Sequence, residues 1–506
     1  MLRVLILIAT FVAVKGDNCV PKLVEKDKIV CVCNSTYCDS PEQSTLNENQ
    51  FAWYMSTKDG KRMQLSVSNF TNTSTGRILT VDKNKTYQTI FGFGGAMTDA
   101  AALNIRSLSN STQQNLLEAY YGANGIGYTV IRIPIAGTDF SVKPYTYDDV
   151  PGDIKLNNFS LVEEDDYKIE YLHNIKKIMP ENDILKIFTT AWSAPAWMKT
   201  TNETKWGTLK EEYYQLYAEY WKKFFDAYKT RGIDIWGVTP GNEPFDGFVP
   251  FFSFNSMGWT PISGAKWTVD YLNSTLSKAG YNPVYMLMDD QRFALPWFVD
   301  LAFKSEPRAE TLFNGIAYHW YFNNIFSPRR LTDTHDKYPN KFILMTEACE
   351  GSQSFKNEKV ILGSWERGNK YILDIIDNLN HWVVGWIDWN IALDMQGGPN
   401  WAKNYVDSPI IINATNDEFY KEPMFYALAH VSKFVPRGSI RISAEGIEDE
   451  LIKTVAFLTP ENKIVVPVVN KGDEPFDITI KDKSTNNMLK LRLPPNSFNT
   501  ILYLSQ

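Results

Sequence analysis

Two glutamates stand where a folded chain seldom leaves a carboxylate without a task. Glu243 closes the run IDIWGVTPGNEP (233–244), and Glu347 closes FILMTEA (342–348). Each run is otherwise apolar and β-branched, and an ionisable group at such a strand end is costly unless it faces a polar cleft. Two carboxylates facing each other are what glycoside hydrolysis needs. One carboxylic acid protonates the leaving oxygen, and one carboxylate attacks the anomeric carbon or activates water. In a retaining enzyme the two sit about 5–5.5 Å apart. Aromatic residues gather near the same strand ends: Trp192, Trp197, Trp206, Trp320, Tyr321, Trp386, Trp389 and Trp401. Indole faces pack on the apolar C–H faces of sugar rings, while nearby Asn and Asp bond the hydroxyls.

Other chemistries find little support. There is no G-x-S-x-G elbow. The five His, at 173, 319, 335, 381 and 430, show no H-x₃-H or H-E-x-x-H spacing, which disfavours a multi-His metal site and leaves the expectation of no metal and no organic cofactor. Gly92-Phe93-Gly94-Gly95 lacks both G-x-G-x-x-G and G-K-S/T spacing and reads as a tight barrel entry rather than a phosphate loop. The net charge of −7, with no basic stripe, argues against a nucleic-acid partner.

The elements that must position these residues recur through the middle of the chain. Eight short apolar runs end in or beside Gly, Pro, Asn, Asp or Glu: 91–99, 128–139, 184–195, 233–244, 284–290, 314–321, 342–348 and 382–390. Helical patterns lie between most of them, as in 161–179 and 211–230. In the latter, Tyr214, Tyr217, Trp221, Phe224, Phe225 and Tyr228 fall at three- and four-residue steps. Continuous apolar strands alternating with amphipathic helices mean parallel β/α units, and eight of them make a TIM barrel whose strand ends converge on one site. After Pro436 the pattern becomes period-two strands separated by turns, an antiparallel sandwich.

The chain has 506 residues and is 44% hydrophobic, enough for a large domain and a smaller one. The fold class expected is α/β: a (β/α)8 TIM barrel with an all-β sandwich module built from N- and C-terminal segments. The divisions are a signal peptide at 1–16, a disulfide-bearing β segment at 17–42 that can pair with 391–422, a sandwich at 43–88 plus 438–506, and a catalytic barrel at 89–437. The signal reading rests on Arg3, an apolar run from Leu5 to Val14, and small residues at Val14 and Gly16.

In a secreted chain, Cys19, Cys31, Cys33 and Cys38 imply disulfides. Three pairings exist; a Cys31–Cys33 bridge is sterically awkward, which favours Cys19–Cys31 with Cys33–Cys38. Cys349 is left over as a free, buried thiol. The secretory reading gives meaning to nine N-x-S/T triplets as glycan candidates: Asn34, Asn69, Asn72, Asn84, Asn110, Asn158, Asn202, Asn273 and Asn413.

At FGFGGAMTDAAALNI, GIGYTVIRIPIAGTDFS, GNEP, TEAC and VVGWIDWNIALDMQGGPNWAKNYVDSPIII the sequence resembles glycoside hydrolase family 30, in its glucosylceramide-cleaving branch. The resemblance runs from Cys19 to about Leu504 and includes the family's two consecutive N-terminal disulfides. It implies retaining hydrolysis without a cofactor, with Glu243 as acid/base and Glu347 as nucleophile. It implies glucose contacts from Asp139, Trp192, Asn242, Trp389 and Asn404, with Arg132, His319 and Tyr321 supporting the nucleophile. Its implied partners are glucosylceramide in membranes, a saposin-type activator and anionic lipid, reached by peripheral membrane association in a lysosomal lumen. The segment 245–267 departs from the family's usual sequence. Two alternatives accompany this reading: a non-catalytic glycolipid-binding paralogue, and a family 30 hydrolase of another β-linked sugar.

Overall fold

The computed structural model describes residues 18–352, 358–485 and 487–506; the expected signal peptide lies outside them. Eight parallel strands close into a barrel in chain order. They are β1 (Gly92–Ala96), β2 (Val130–Ile135), β3 (Lys186–Ala191), β4 (Gly237–Val238), β5 (Val284–Gln291), β6 (Phe313–His319), β7 (Phe342–Glu347) and β8 (Val383–Asn390). Each falls within one of the eight apolar runs or overlaps it. Val130, Phe188, Met286, Ala317, Leu344, Val384 and Ile387 fill the interior, and Phe91 stacks on Trp236 at 4.5 Å at the start of the strands.

Close approach explains the glycines of β1. A Cβ on Gly94 would stand 2.0 Å from the Val130 carbonyl oxygen, and one on Gly385 of β8 would stand 2.1 Å from that of Gly92. The FGFGG run is thus a strand whose neighbours leave no room for side chains. At β4 the ladder is only two residues long, and Pro240, which has no N–H to donate, follows it.

Helices of the expected kind wrap the strands. Glu163–Ile178 opens on four acidic residues and ends near Lys176 and Lys177, as its macrodipole favours. Tyr214–Thr230 buries Tyr217, Trp221, Phe224, Phe225 and Tyr228; Tyr220 is buried too, its hydroxyl accepting the Tyr147 N–H at 3.0 Å.

The second module is a ten-stranded sheet, and its strands enclose one apolar cluster. Gln50–Thr57, Gln64–Asn69 and Arg77–Thr89 join it from the N-terminal side. Two details differ from a purely antiparallel sandwich. LIKTVAFLT divides into Ile452–Thr454 and Ala456–Leu458. Phe476–Asp482 runs parallel to Arg77–Thr89. Those two strands lie some 400 residues apart, so no hairpin dictates their direction.

A five-stranded sheet joins Pro21–Glu25 and Lys28–Asn34 to Glu418–Lys421, Ile410–Asn413 and Leu393–Asp394. Disulfides Cys19–Cys31 and Cys33–Cys38 tie its N-terminal side, with Cα separations of 5.2 and 4.4 Å. This sheet pins both ends of the loop carrying Asn404. Among the triplet asparagines, Asn34, Asn273 and Asn413 are half-buried and the other six are exposed. No helix among the described residues is long and apolar enough to cross a membrane.

Candidate active site

The ends of β2, β4, β5, β6 and β7 meet around one buried guanidinium. Arg132 lies in β2, where neighbouring side chains are apolar, and it is fully buried. Its Nη1 donates to Glu347 Oε2. Its Nη2 donates to Asn242 Oδ1 at 2.7 Å and to Asp289 Oδ2 at 3.0 Å. The guanidinium also lies 4.9 Å from the Trp192 ring and 5.3 Å from that of Trp389, and the two indoles stack at 5.1 Å.

Glu243 and Glu347 face one another beside this cation. One oxygen of each lies within 4.8 Å of the other, with a His319 nitrogen in the same group. His319 Nδ1 meets Glu243 Oε1 at 2.8 Å, and its Nε2 meets Asp289 Oδ1 at 3.2 Å. Gln291 Nε2 donates to Glu243 Oε1 at 2.6 Å, and the Tyr321 hydroxyl donates to Glu347 Oε1 at 2.7 Å. Glu243 has φ +40° and Asp289 φ +57°, in a left-handed region that non-glycine residues seldom adopt. At Asp289 a register shift in β5, between Met288 and Asp290, accompanies this conformation. Such bulges re-aim side chains, and backbone strain of this kind collects at functional sites.

The electrostatics follow from these contacts. Burial works to raise Asp289, but Arg132, His319 and Thr239 outweigh it and hold the carboxyl well below the ordinary range. Burial lowers His319, yet Glu347, Asp289 and Glu243 push it up to about 10. Burial raises both reactive glutamates. His319 bonds Glu243 directly and brings it below its ordinary value. Glu347 stays above its own, because the nearby Glu243 charge opposes the help it receives from His319 and Arg132. The pair therefore titrates as a unit. The Cys349 thiol is pushed well up by burial, and Glu347 adds to this although the Tyr321 hydroxyl at 3.3 Å opposes it, so it stays neutral. Glu243, His319 and Glu347 have metal-ligand types, but both His319 nitrogens are engaged and a guanidinium already holds Glu347, which suits proton transfer.

The expected sugar-facing residues divide into two adjacent groups. Trp192, Trp389 and Asn242 join the Arg132 cluster directly. Asp139 and Asn404 form a neighbouring cluster, in which Asp139 Oδ2 accepts from Asn404 at 3.0 Å and from Asn400 at 3.1 Å. Burial pushes the Asp139 carboxyl up to about 7 despite these donors. Two of the gathered aromatics belong elsewhere. Trp386 is fully buried against Tyr371 and donates to Asp374 at 2.9 Å, on the helix Trp365–Asn380 outside the barrel. Trp320 packs on the same two rings. A cavity of about 720 Å³ begins at Trp320, Tyr321 and Cys349 and runs to Ile452 of the second module. It adjoins the reactive glutamates without either lining it.

Asp289, Gln291, Thr239 and Thr346 belong to the site although only their strands were singled out. Thr239 and Thr346 each donate to Asp289 at 2.6 Å. The signal for Asp289 was present: VYMLMDD is another apolar run ending in carboxylates.

Comparison with known proteins agrees with the barrel and the second module. The glycosyl hydrolase family 30 TIM-barrel domain matches residues 90–435, and the family's β-sandwich domain matches 438–501. Lysosomal acid glucosylceramidase of Mus musculus is 42% identical over 502 residues, which is 97% of this chain and 96% of that protein. Among solved structures, SrfJ of Salmonella typhimurium aligns with TM-score 0.83 and an endo-β-1,6-glucanase with 0.78. Each is 25% identical, over 90% of this chain and 100% of its own. With both family domains present and a glucosylceramidase at this level of identity across nearly its whole length, the chain belongs to glycosyl hydrolase family 30 and is a glycosidase.

Proposed function

We propose that this enzyme cleaves the β-glucosidic bond of glucosylceramide to glucose and ceramide with retention of configuration. The observation that carries the reading is the separation of the two glutamates. One oxygen of each carboxylate lies within 4.8 Å of the other, in keeping with a retaining pair and closer than the roughly 6.5–9.5 Å of an inverting pair. Glu347 is the nucleophile, because Arg132 and Tyr321 both stabilise its charge and aim its oxygens. Glu243 is the acid/base. His319 Nδ1–H already points at Glu243, so the proton the leaving oxygen needs sits between the two. Its transfer leaves a neutral imidazole still bonded to Asp289. Glu347 bonds to the anomeric carbon as the bond to ceramide's oxygen breaks. Glu243 then takes a proton from water, whose oxygen displaces Glu347.

Trp192 and Trp389 offer a stacked apolar wall for the sugar, while Asp139, Asn242 and Asn404 supply hydroxyl partners. The identity to a lysosomal enzyme, the signal-like N-terminus and the nine N-x-S/T triplets support a lysosomal lumen. A lipid substrate calls for peripheral association with membranes carrying anionic lipid, aided by a saposin-type activator. Exposed apolar residues on loops after the strand ends, among them Phe251 at 85% and Ile325 at 67% exposure, support it.

The test is leaving-group dependence. Glu243→Gln should lose roughly 10³-fold in kcat/KM on glucosylceramide, yet lose far less on an aryl glucoside whose aglycone leaves without protonation. Glu347→Gln should lose activity on both, and a mechanism-based cyclitol epoxide should label Glu347. Equal loss of Glu243→Gln on both substrates, or labelling elsewhere, overturns the assignment. Release of another β-linked sugar but not of glucose would move the substrate within the family.

A further inference from the structure

Lys168, on the helix Glu163–Ile178, has a fully buried side chain, and no step of the mechanism uses it. Its ammonium lies between two carboxylates. Nζ donates to Asp99 Oδ1 at 2.8 Å and meets Asp165 Oδ1 at 3.0 Å. Burial opposes its charge, but Asp165 and Asp99 outweigh the burial and hold the amine above its ordinary range. A buried ion pair adds little net stability over an apolar pair of similar volume. The use of this one lies in what its two partners hold. Asp165 accepts the Tyr147 and Tyr228 hydroxyls at 2.9 and 2.8 Å, and so fastens the lysine's own helix to the next.

Asp99 reaches toward the sugar site. It opens the helix Asp99–Arg106 just after β1, and its Oδ2 accepts the Ser141 hydroxyl at 2.6 Å and the Tyr145 hydroxyl at 2.8 Å. Ser141 Oγ in turn accepts the Thr138 N–H at 3.1 Å, and the Ala100 N–H donates to the Phe140 carbonyl at 2.9 Å. Residues on both sides of Asp139 are thus fastened to one carboxylate and to the helix it opens. The Trp401 N–H adds a strap from the Asn404 loop, donating to the Asp139 carbonyl at 3.2 Å. Phe140 meets the Trp389 ring edge-on at 6.0 Å, so the same loop that carries Asp139 also props one indole of the sugar wall.

We propose that Lys168 is a positioning residue for the sugar site: its charge keeps Asp99 an acceptor for Ser141 and Tyr145, and those two hydroxyls set the loop that aims the Asp139 carboxyl at the sugar. This deepens the reading above, in which Asp139 bonds a glucose hydroxyl, and it rests on that reading. Without the ammonium, Asp99 and Asp165 are two buried anions whose shared cation is gone, which is strongly unfavourable. Asp99 then takes up a proton or draws in water, and its hold on the two hydroxyls loosens. The reacting glutamates are held separately, by Arg132, His319 and Tyr321. The chemistry therefore persists while the selection of one sugar hydroxyl is lost.

The experiment measures kcat/KM on an aryl β-glucoside and on its monodeoxy analogues, each loss taken relative to wild type on the same sugar. Thermal unfolding checks that every variant folds. Asp139→Ala identifies the hydroxyl: it should lose roughly 30-fold on the parent glucoside and little on the analogue that lacks its partner. Lys168→Met should repeat that pattern, with a loss of roughly 30-fold on the parent and under about threefold on that same analogue. If Lys168→Met does not fold, Lys168→Met/Asp165→Asn removes the excess negative charge and is read in the same way. Ser141→Ala/Tyr145→Phe leaves every buried charge in place and should show the pattern too. A lysine that only supports the fold would lower all the sugars alike, and a uniform loss, or none, in the Lys168 variants overturns the proposal. A selective loss in Ser141→Ala/Tyr145→Phe beside a uniform one at Lys168 leaves the role with Asp99 and overturns the lysine's part. If Asp139→Ala singles out no hydroxyl, the sugar contact itself has failed and the proposal falls with it. If it does while the Lys168 variants do not, only the role of Lys168 has failed.

Discussion

Arg132 is the residue on which the site turns, and Asp289 is what allows it to stay. A guanidinium with no exposure needs compensating charge, and Glu347 and Asp289 supply it. Asp289 also holds His319 Nε2, so one carboxylate orients both cations that serve the glutamates. Asp289→Asn should lower kcat/KM roughly 100-fold and the stability by about 3 kcal/mol, because one buried cation loses its partner. Steady-state kinetics with thermal unfolding would show it; a variant with normal kcat/KM would mean that Asp289 organises neither cation. The sequence exposed this scale unevenly. Glu243 and Glu347 were legible because a carboxylate ending an apolar strand has few structural explanations. Asp289 obeys the same rule. Gln291 was not legible, because its position depends on a bulge at Asp289, which no periodicity announces.

The barrel strands were readable because each is buried on both faces and so appears as a continuous apolar run. The direction of Phe476–Asp482 was not, since strand pairing across 400 residues leaves no local mark. Where the elements are tightest, glycine marks the place. Gly94→Ala would force a Cβ to within 2.0 Å of the Val130 carbonyl oxygen, between two paired strands that cannot separate without opening the barrel. The expected loss is about 3 kcal/mol or more, a large share of the stability of a natural protein. Alanine at Gly152, where φ is +79° but nothing lies within 4 Å, serves as the contrast. It carries a conformational penalty alone, of about 1 kcal/mol. Thermal unfolding of the two variants separates close packing from backbone conformation, and equal losses would show that the strands around Gly94 can yield.

At the scale of the whole molecule, the barrel and the second module meet through the buried helix Pro423–Ser432. His430 on that helix bonds Thr500 Oγ1 and Ser56 Oγ, each at 2.9 Å, and both partners lie on strands of the sheet. Burial brings its pKa down to about 3. The folded protein therefore resists protonation at a position that the unfolded chain protonates near pH 6.5. A histidine lowered on folding contributes fully above pH 6.5, and its contribution falls away as pH drops toward 3. Between pH 7 and pH 5 it should cost the folded state about 2 kcal/mol. Asp139 acts the other way. Its carboxyl is raised to about 7, so the folded state gains from it as pH falls over the same interval. An enzyme working in an acidic lumen would thus offset a loss at its domain junction with a gain at its sugar site. His430→Gln keeps an amide that can bond both hydroxyls and removes the titration. Its unfolding free energy, measured by denaturant at pH 7 and pH 5, should improve relative to wild type by about 2 kcal/mol at the lower pH. All other titrating groups are common to both proteins, so the difference belongs to this one histidine; parallel pH dependences would place its protonation outside the folding equilibrium.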